Sequence, residues 1–160
     1  RLSFRSPQLA PRPVIAGLQT ATVCDAGGGG EDEAIVVDQH GRVHVKFHWA
    51  GSAKPGERDQ LQSCPVRVAS PWAGKQWGMM HIPRVGQEVV VSFLEGDPDR
   101  PLIVGSVYNG DHAQPYPLPD EKTRSGIRSR SEGGGSEDFN EIRFDDKKDN
   151  EELFVHAQKD

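Results

Sequence analysis

Several short runs in this chain carry side chains whose types and spacing could do chemistry. His44 and His48 stand four residues apart, a spacing that invites a shared metal ion. The residues around them read as a strand, and four strand residues rise about 13 Å. Zinc ligands must each lie about 2 Å from one ion, so the pair cannot hold a metal without further ligands. His48-Trp49 reads instead as packing at a strand end. Asp97 and Asp99 bracket Pro98 as carboxylates in a calcium loop would. Such a loop needs acidic or polar groups at alternating positions and a closing glutamate, and Arg100 and Pro101 cut the series short. A turn whose carboxylates accept backbone N–H bonds fits better. Gly27–Gly30 and Gly133–Gly135 could line a phosphate, but neither leads into GK[ST] or a G-x-G-x-x-G helix start. The carboxylates at 31–33 and Asp145-Asp146 could be proposed as glycosidase acids. That chemistry needs one carboxyl with a raised pKa in an apolar cleft, and these sit in solvated charge runs. Cys24 and Cys64 could form one disulfide, but two reduced thiols are the expected state. No Ser/His/Asp or Cys/His grouping emerges, so no catalytic residue, bound metal or cofactor is expected.

The elements that would position these residues are strands. Val14–Val23 is rich in β-branched residues, with Gly17 expected as a bulge or close approach. Ala34–Asp38 and Arg42–Trp49 read as strands joined by a turn at Gln39-His40-Gly41. Val66–Ala69 is a short strand after a polar loop. Glu88–Leu94 and Leu102–Tyr108 are two strong strands separated by EGDPDRP, where Gly96, Pro98 and Pro101 set the register locally. Val89, Val91 and Phe93 alternate and are the expected barrel core. Short, evenly spaced strands with little helical periodicity point to an all-β fold. A five-stranded barrel of the OB type suits residues 14–110.

The chain has 160 residues, 34% of them hydrophobic, with 18 glycines and 12 prolines. That suits a small β domain attached to a part that cannot fold alone. The net charge is -5, and no clustered basic footprint for nucleic acid exists. No apolar run approaches the roughly 20 residues of a membrane-spanning helix. The chain opens on Arg1 with no signal peptide and reads as a piece of a longer protein. Residues 116–160 hold twelve acidic against eight basic side chains, so most of the net charge lies in this tail. The tail ends in FNEIRFDDKKDNEELFVHAQKD, a hairpin pattern with a polar turn from Asp145 to Glu152. Ile142 and Phe144 share one face with Leu153, Val155 and Ala157, and the chain offers nothing to cover them.

The runs GRVHVKFHW and CPVRVASPWAGKQWGMMHIPRVGQEVVVSFLEGDPDRPLIVGSVYNG resemble the VgrG family. These are the tip or spike proteins of the bacterial type VI secretion system, similar to the central spike of contractile phage tails. NEIRFDDKKDNEELFVHAQKD looks like the start of that family's β-helical needle. The likeness runs from about residue 12 to the end. It departs at the tip 27–30 and the loop 50–60, where length varies at little energetic cost. The resemblance implies an all-β chain: a five-stranded OB barrel at 14–115, a neck at 116–138, and the start of an intertwined trimeric triple-stranded β-helix at 139–160. Residues 1–13 would be a linker from a preceding base domain, and more needle would follow residue 160. The lysozyme domain that phage relatives can carry between barrel and needle has no counterpart here.

The implied function is a non-enzymatic spike: a homotrimeric, membrane-puncturing shaft that delivers effectors. Ile142, Phe144, Leu153 and Val155 would form the trimer core. The resemblance further implies an Hcp tube, a tip-capping PAAR-type protein and effectors as partners, met mostly through regions outside this chain, and no nucleic acid. It implies assembly in the bacterial cytoplasm, then translocation toward a target cell. Two rivals stand beside it. One is an OB-fold module binding oligosaccharide or nucleic acid, with Trp72, Trp77 and Phe93 as stacking faces. The other is a phage tail spike fragment.

Overall fold

The computed structural model describes residues 10–25, 33–50 and 63–159. All of its extended elements are strands: β1 (Gln19–Cys24), β2 (Arg42–Phe47), β3 (Val66–Val68), β4 (Glu88–Phe93), β5 (Pro101–Val107), β6 (Arg124–Arg130), β7 (Phe139–Asp145) and β8 (Glu152–His156). Among the described residues, no helix is long and apolar enough to cross a membrane.

The first five strands close a barrel in the order β1-β2-β3-β5-β4. Neighbours are antiparallel except β3 and β5, which run parallel and complete the closure. The cause is visible in the alternation of side chains. In RVHVKF and EVVVSF every second residue is buried, as a strand with one face inward requires. Val43, Val45, Val89, Val91 and Ile103 are at most 1% exposed, and Phe47 and Phe93 close the same core. The rings of Phe47 and Phe93 lie 5.7 Å apart, and Trp49 stacks on the outer side of Phe47 at 4.9 Å. A 3-10 turn at Leu94–Gly96 links β4 to the β5 approach. Gly96 adopts φ +72°, and a Cβ there would come within 2.7 Å of Val14. The Ile15 amide donates to the Gly96 carbonyl at 2.9 Å, so the N-terminal segment is pinned across this turn.

Two strand expectations need correction. Ala34–Asp38 forms no strand. The backbone of Glu33 and Ala34 bonds to Val85, through the Glu33 amide at 2.9 Å and the Ala34 carbonyl at 3.0 Å, and Asp38 then turns the chain. The first strand starts at Gln19, because its ladder to β4 begins there, and its ladder to β2 begins at Ala21. Gly17 makes no close approach: a Cβ there would meet open space. The tips at 27–30 and the loop at 51–62 lie outside the described residues, as do residues 1–9 of the expected linker.

The turn before β2 carries an acid-sensitive contact. Asp38 Oδ1 accepts the amides of His40 at 2.8 Å and Arg42 at 2.9 Å, and Oδ2 accepts Arg42 Nε at 2.6 Å. The Arg42 amide foremost, then the Arg42 guanidinium and the His40 amide, lower this carboxyl from 3.8 to about 2. Glu88 is lowered in the same way, first by Asn109. A carboxyl whose folded pKa is depressed contributes stability that is whole above its unfolded pKa and is lost as pH falls through the folded one. The melting temperature should therefore hold steady down to the ordinary Asp value of 3.8 and fall on the way to about 2. Asp38→Asn, which keeps an acceptor oxygen but cannot titrate, should flatten part of that fall in acid melts.

The last three strands form a separate antiparallel sheet in the order β6-β7-β8. β6 lies within the segment expected as a neck and pairs with β7 along its whole length, from Arg124↔Asp145 to Arg130↔Phe139. The Gly133–Gly135 run is part of the turn between them. There Asp138 Oδ2 accepts the Gly135 amide at 2.8 Å, and the Gly134 amide donates to the Ser131 carbonyl at 3.0 Å. Barrel and sheet meet at the end of β6. The Arg130 carbonyl accepts Arg84 Nη2 at 2.6 Å, and Arg130 Nη1 pairs with Glu33 at 3.1 Å.

Candidate functional site: an unpartnered sheet face

The second sheet carries two unlike faces. Register places Ile127 opposite Ile142 and Ile142 opposite Val155, one apolar row across all three strands. The next row of the same face is Ser125, Phe144 and Leu153. Strand geometry sends alternate residues to opposite faces, so all five apolar side chains lie on one side. Each is about half exposed or more, from 49% at Phe144 to 69% at Val155. The hairpin therefore does not fold back onto the barrel, which has its own core.

The opposite face is largely polar, and along its middle strand, from Phe139 to Asp145, it is buried or half-buried. Arg128 lies over the Phe139 ring at 3.7 Å and Arg143 over the Phe154 ring at 4.4 Å. Glu141 is only 3% exposed. It accepts the Tyr116 hydroxyl at 2.8 Å and faces Arg143 Nη1 at 3.6 Å, while Arg143 Nη2 reaches Glu152 at 2.9 Å. At the end of the ladder Asp145 accepts the Thr123 hydroxyl at 2.7 Å and Arg124 Nε at 3.1 Å. The Thr123 bond first, then Arg124, hold its carboxyl below the usual range. Ion pairs and aromatic rings thus engage one side of the sheet within the chain, and the other side is left apolar and open.

The structure brings Ile142, Phe144, Leu153 and Val155 together on this face, while Val89, Val91 and Phe93 lie far from it in sequence and inside the barrel. Reading the sequence missed Ile127, because RSGIRSR carries one apolar residue among charged and small ones. The available signal was the period-two series Ser125, Ile127, Ser129, whose members share a face of any strand drawn there.

The other tempting residues are dispersed. His44 Nδ1 lies 2.8 Å from the Ser63 carbonyl, and His48 Nε2 is 3.7 Å from Glu88. His48 is therefore a half-exposed neighbour of a carboxylate and not a packing residue; of the two, it is Trp49 that packs on Phe47. Asp97 binds Arg12 at 2.8 Å and accepts the Asp99 amide at 3.1 Å, as a turn carboxylate does. Among the described residues, no three His, Cys, Asp or Glu side chains converge as metal ligands would. Cys24 is buried and Cys64 exposed, both with free thiols; burial foremost raises the Cys24 pKa. Trp72 and Trp77 stand 58% exposed in a T-shaped pair at 5.1 Å. Phe93 cannot join them as a stacking face, because it is 7% exposed in the barrel core.

A closed OB-like barrel leading into a one-faced, three-stranded sheet defines a protein of the baseplate-injector class. Residues 33–108 match the family model of the type VI secretion system/phage-baseplate injector OB domain. Residues 125–160 match that of the bacteriophage T4 gp5 C-terminal trimerisation domain. The chain belongs to the VgrG family of type VI secretion spike proteins. It is 52% identical to the spike protein VgrG1a of Pseudomonas aeruginosa over 98% of its length and 24% of that protein. It is 51% identical to VgrG1b of the same organism, over 98% of this chain and 20% of the relative. The actin cross-linking toxin VgrG1 of Vibrio cholerae is 43% identical over 94% of this chain and 13% of its own length. A solved Escherichia coli structure, of the c3393 protein described as a component of the type VI secretion system, aligns at 29% identity with a TM-score of 0.40, covering 64% of this chain and 22% of that one. The chain thus spans about a fifth of the length of the curated relatives it matches.

Proposed function

We infer that this chain is the part of a type VI secretion spike where the barrel passes into the shaft, and that it works as a homotrimer without catalysis of its own. The observation that supports this best is the row of Ile127, Ile142 and Val155 beside Phe144 and Leu153, exposed on a segment that matches a trimerisation domain. One copy cannot bury that face. Three copies around an axis cover it mutually, and each side chain of that size contributes roughly 1.5–3 kcal/mol when taken from water. The sheet's two outer edges, on β6 and β8, are then available for pairing or protection in the assembly.

In this reading the barrel at 14–115 centres the shaft, residues 116–138 join it to the shaft, and 139–160 begin the needle, with Ile142, Phe144, Leu153 and Val155 in the trimer core. The assembled spike meets an Hcp tube and a PAAR-type tip protein through other regions. It carries effectors and is translocated from the cytoplasm where it assembles. The test is the solution mass of the 160-residue chain, by sedimentation equilibrium across a wide concentration range. The expected value at high concentration is three times the 17.6 kDa chain mass. A chain that stays monomeric at every concentration overturns the reading.

A second reading rests on the exposed Trp72–Trp77 pair, which offers aromatic surface to a sugar ring. Titrating tryptophan fluorescence with cell-wall oligosaccharides tests it; an unchanged spectrum removes it.

A further inference from the structure

We propose that Tyr116 is the positioning residue that makes the three-stranded sheet one-faced: its hydroxyl, delivered to buried Glu141 across Gly126, latches the connector over the polar face so that only the Ile127 face is presented for assembly. The inference rests on the trimer reading above.

The latch is a built contact. Tyr116 is 8% exposed and Glu141 3%, and their 2.8 Å hydrogen bond joins residues far apart in the chain. A carboxylate so nearly removed from water is costly unless it is paired and hydrogen-bonded. Its other partner, Arg143 Nη1, stands off at 3.6 Å and is shared through Nη2 with Glu152. The Tyr116 hydroxyl is thus the short, direct bond to this charge. Burial first, then Glu141, raise the phenol's pKa, so it remains the donor at neutral pH.

Gly126 makes the approach possible. It pairs with Arg143 and so lies on the Glu141 face of the sheet. A Cβ at 126 would come 2.9 Å from the Tyr116 hydroxyl oxygen and 2.4 Å from the Ile142 carbonyl. Once seated, the connector is tied down on both sides of the latch. Upstream, Asn109 Nδ2 binds Glu88 at 2.9 Å on the barrel. Downstream, the Glu121 amide donates to the Pro117 carbonyl and the Arg124 amide to the Glu121 carbonyl. With the latch closed, Arg143 and Glu141 are covered and cannot compete with the apolar row as a docking face.

The experiment uses the whole 160-residue chain. Hydrogen exchange is followed at the Glu121 and Arg124 amides, and trimer dissociation by sedimentation equilibrium. Tyr116→Phe should speed exchange at both amides and weaken trimerisation, each about tenfold, as loss of one hydrogen bond to a charged acceptor does. Exchange at Val89 and Val91 should stay unchanged, which a general loss of stability would not allow. Glu141→Gln keeps an oxygen that accepts the Tyr116 hydroxyl and should retain slow connector exchange, whereas Glu141→Leu should match Tyr116→Phe. Unchanged connector exchange in Tyr116→Phe overturns the latch. Faster exchange with unchanged trimerisation overturns its role in presenting the face. A wild-type chain that never trimerises is a different result: it removes the trimer reading, and this proposal with it, before any variant is made.

Discussion

Phe144→Asp should turn a trimeric chain into a monomer with its barrel still folded. In one copy Phe144 is half exposed and pairs with Leu153 and Ser125, so an aspartate there meets water and costs the monomer little. In a threefold assembly the same position recurs three times near one axis. Each carboxylate must be stripped of water, at several kcal/mol, and the three repel in a poorly screening core. The loss falls on association and leaves the fold of a single chain nearly untouched. Val155→Asp should behave alike, since Val155 ends the apolar row opposite Ile142. Ala157, beyond the end of β8 and small, should tolerate the same change. Light scattering at matched concentration reads the outcome. A Phe144→Asp chain that remains trimeric defeats the assignment of this face to the trimer core.

Phe93→Ala should do the opposite, damaging the barrel and reaching the sheet only through it. Phe93 is 7% exposed, packs on Phe47 and pairs across to Pro101 at the start of β5. Truncating a buried phenylalanine removes its transfer free energy and leaves a cavity, at a cost of about 3–5 kcal/mol. That is a large fraction of the roughly 5–15 kcal/mol that holds a domain folded. Val104→Ala on the neighbouring strand is the control. Val104 is 44% exposed, and such a surface change is worth about 0.5 kcal/mol or less. Urea titrations of the two variants should separate them clearly; equal midpoints would mean that the alternating strand at 88–93 does not face the core.

The two variants touch the parts of the fold that were most legible in the sequence. RVHVKF and EVVVSF alternate without interruption, and alternation is a direct image of a strand with one buried face. The closing hairpin was legible for the same reason, with a polar turn bounded by Asp145 and Glu152 where β7 ends and β8 begins. AIVVD misled because β-branched composition resembles a strand even where the backbone bonds are confined to its ends, Ala34 to Val85 and Asp38 to its own turn. β6 was hidden because its stability comes from full-length pairing with β7, and RSGIRSR itself bears one apolar side chain. The Tyr116–Glu141 bond leaves no local pattern at all. Its partners come from separate elements, and only the folded connector brings a phenol over a glycine.

The parallel β3–β5 seam also sets a timetable for synthesis. β3 is three residues long, and its second partner lies at Leu102 and Ile103. A nascent chain cannot close the barrel until β5 has left the ribosome, because β3 and β4 flank a gap that only β5 fills. The sheet has no such wait: its strands pair in the order in which they are made, β6 with β7 and β7 with β8. It nevertheless emerges after the barrel, since translation runs from Gln19 toward His156 and domains made first generally fold first. The apolar face therefore reaches water on a chain whose barrel already has all five of its strands. The time each copy spends unaccompanied is then set by how soon two others arrive, a concentration-dependent interval.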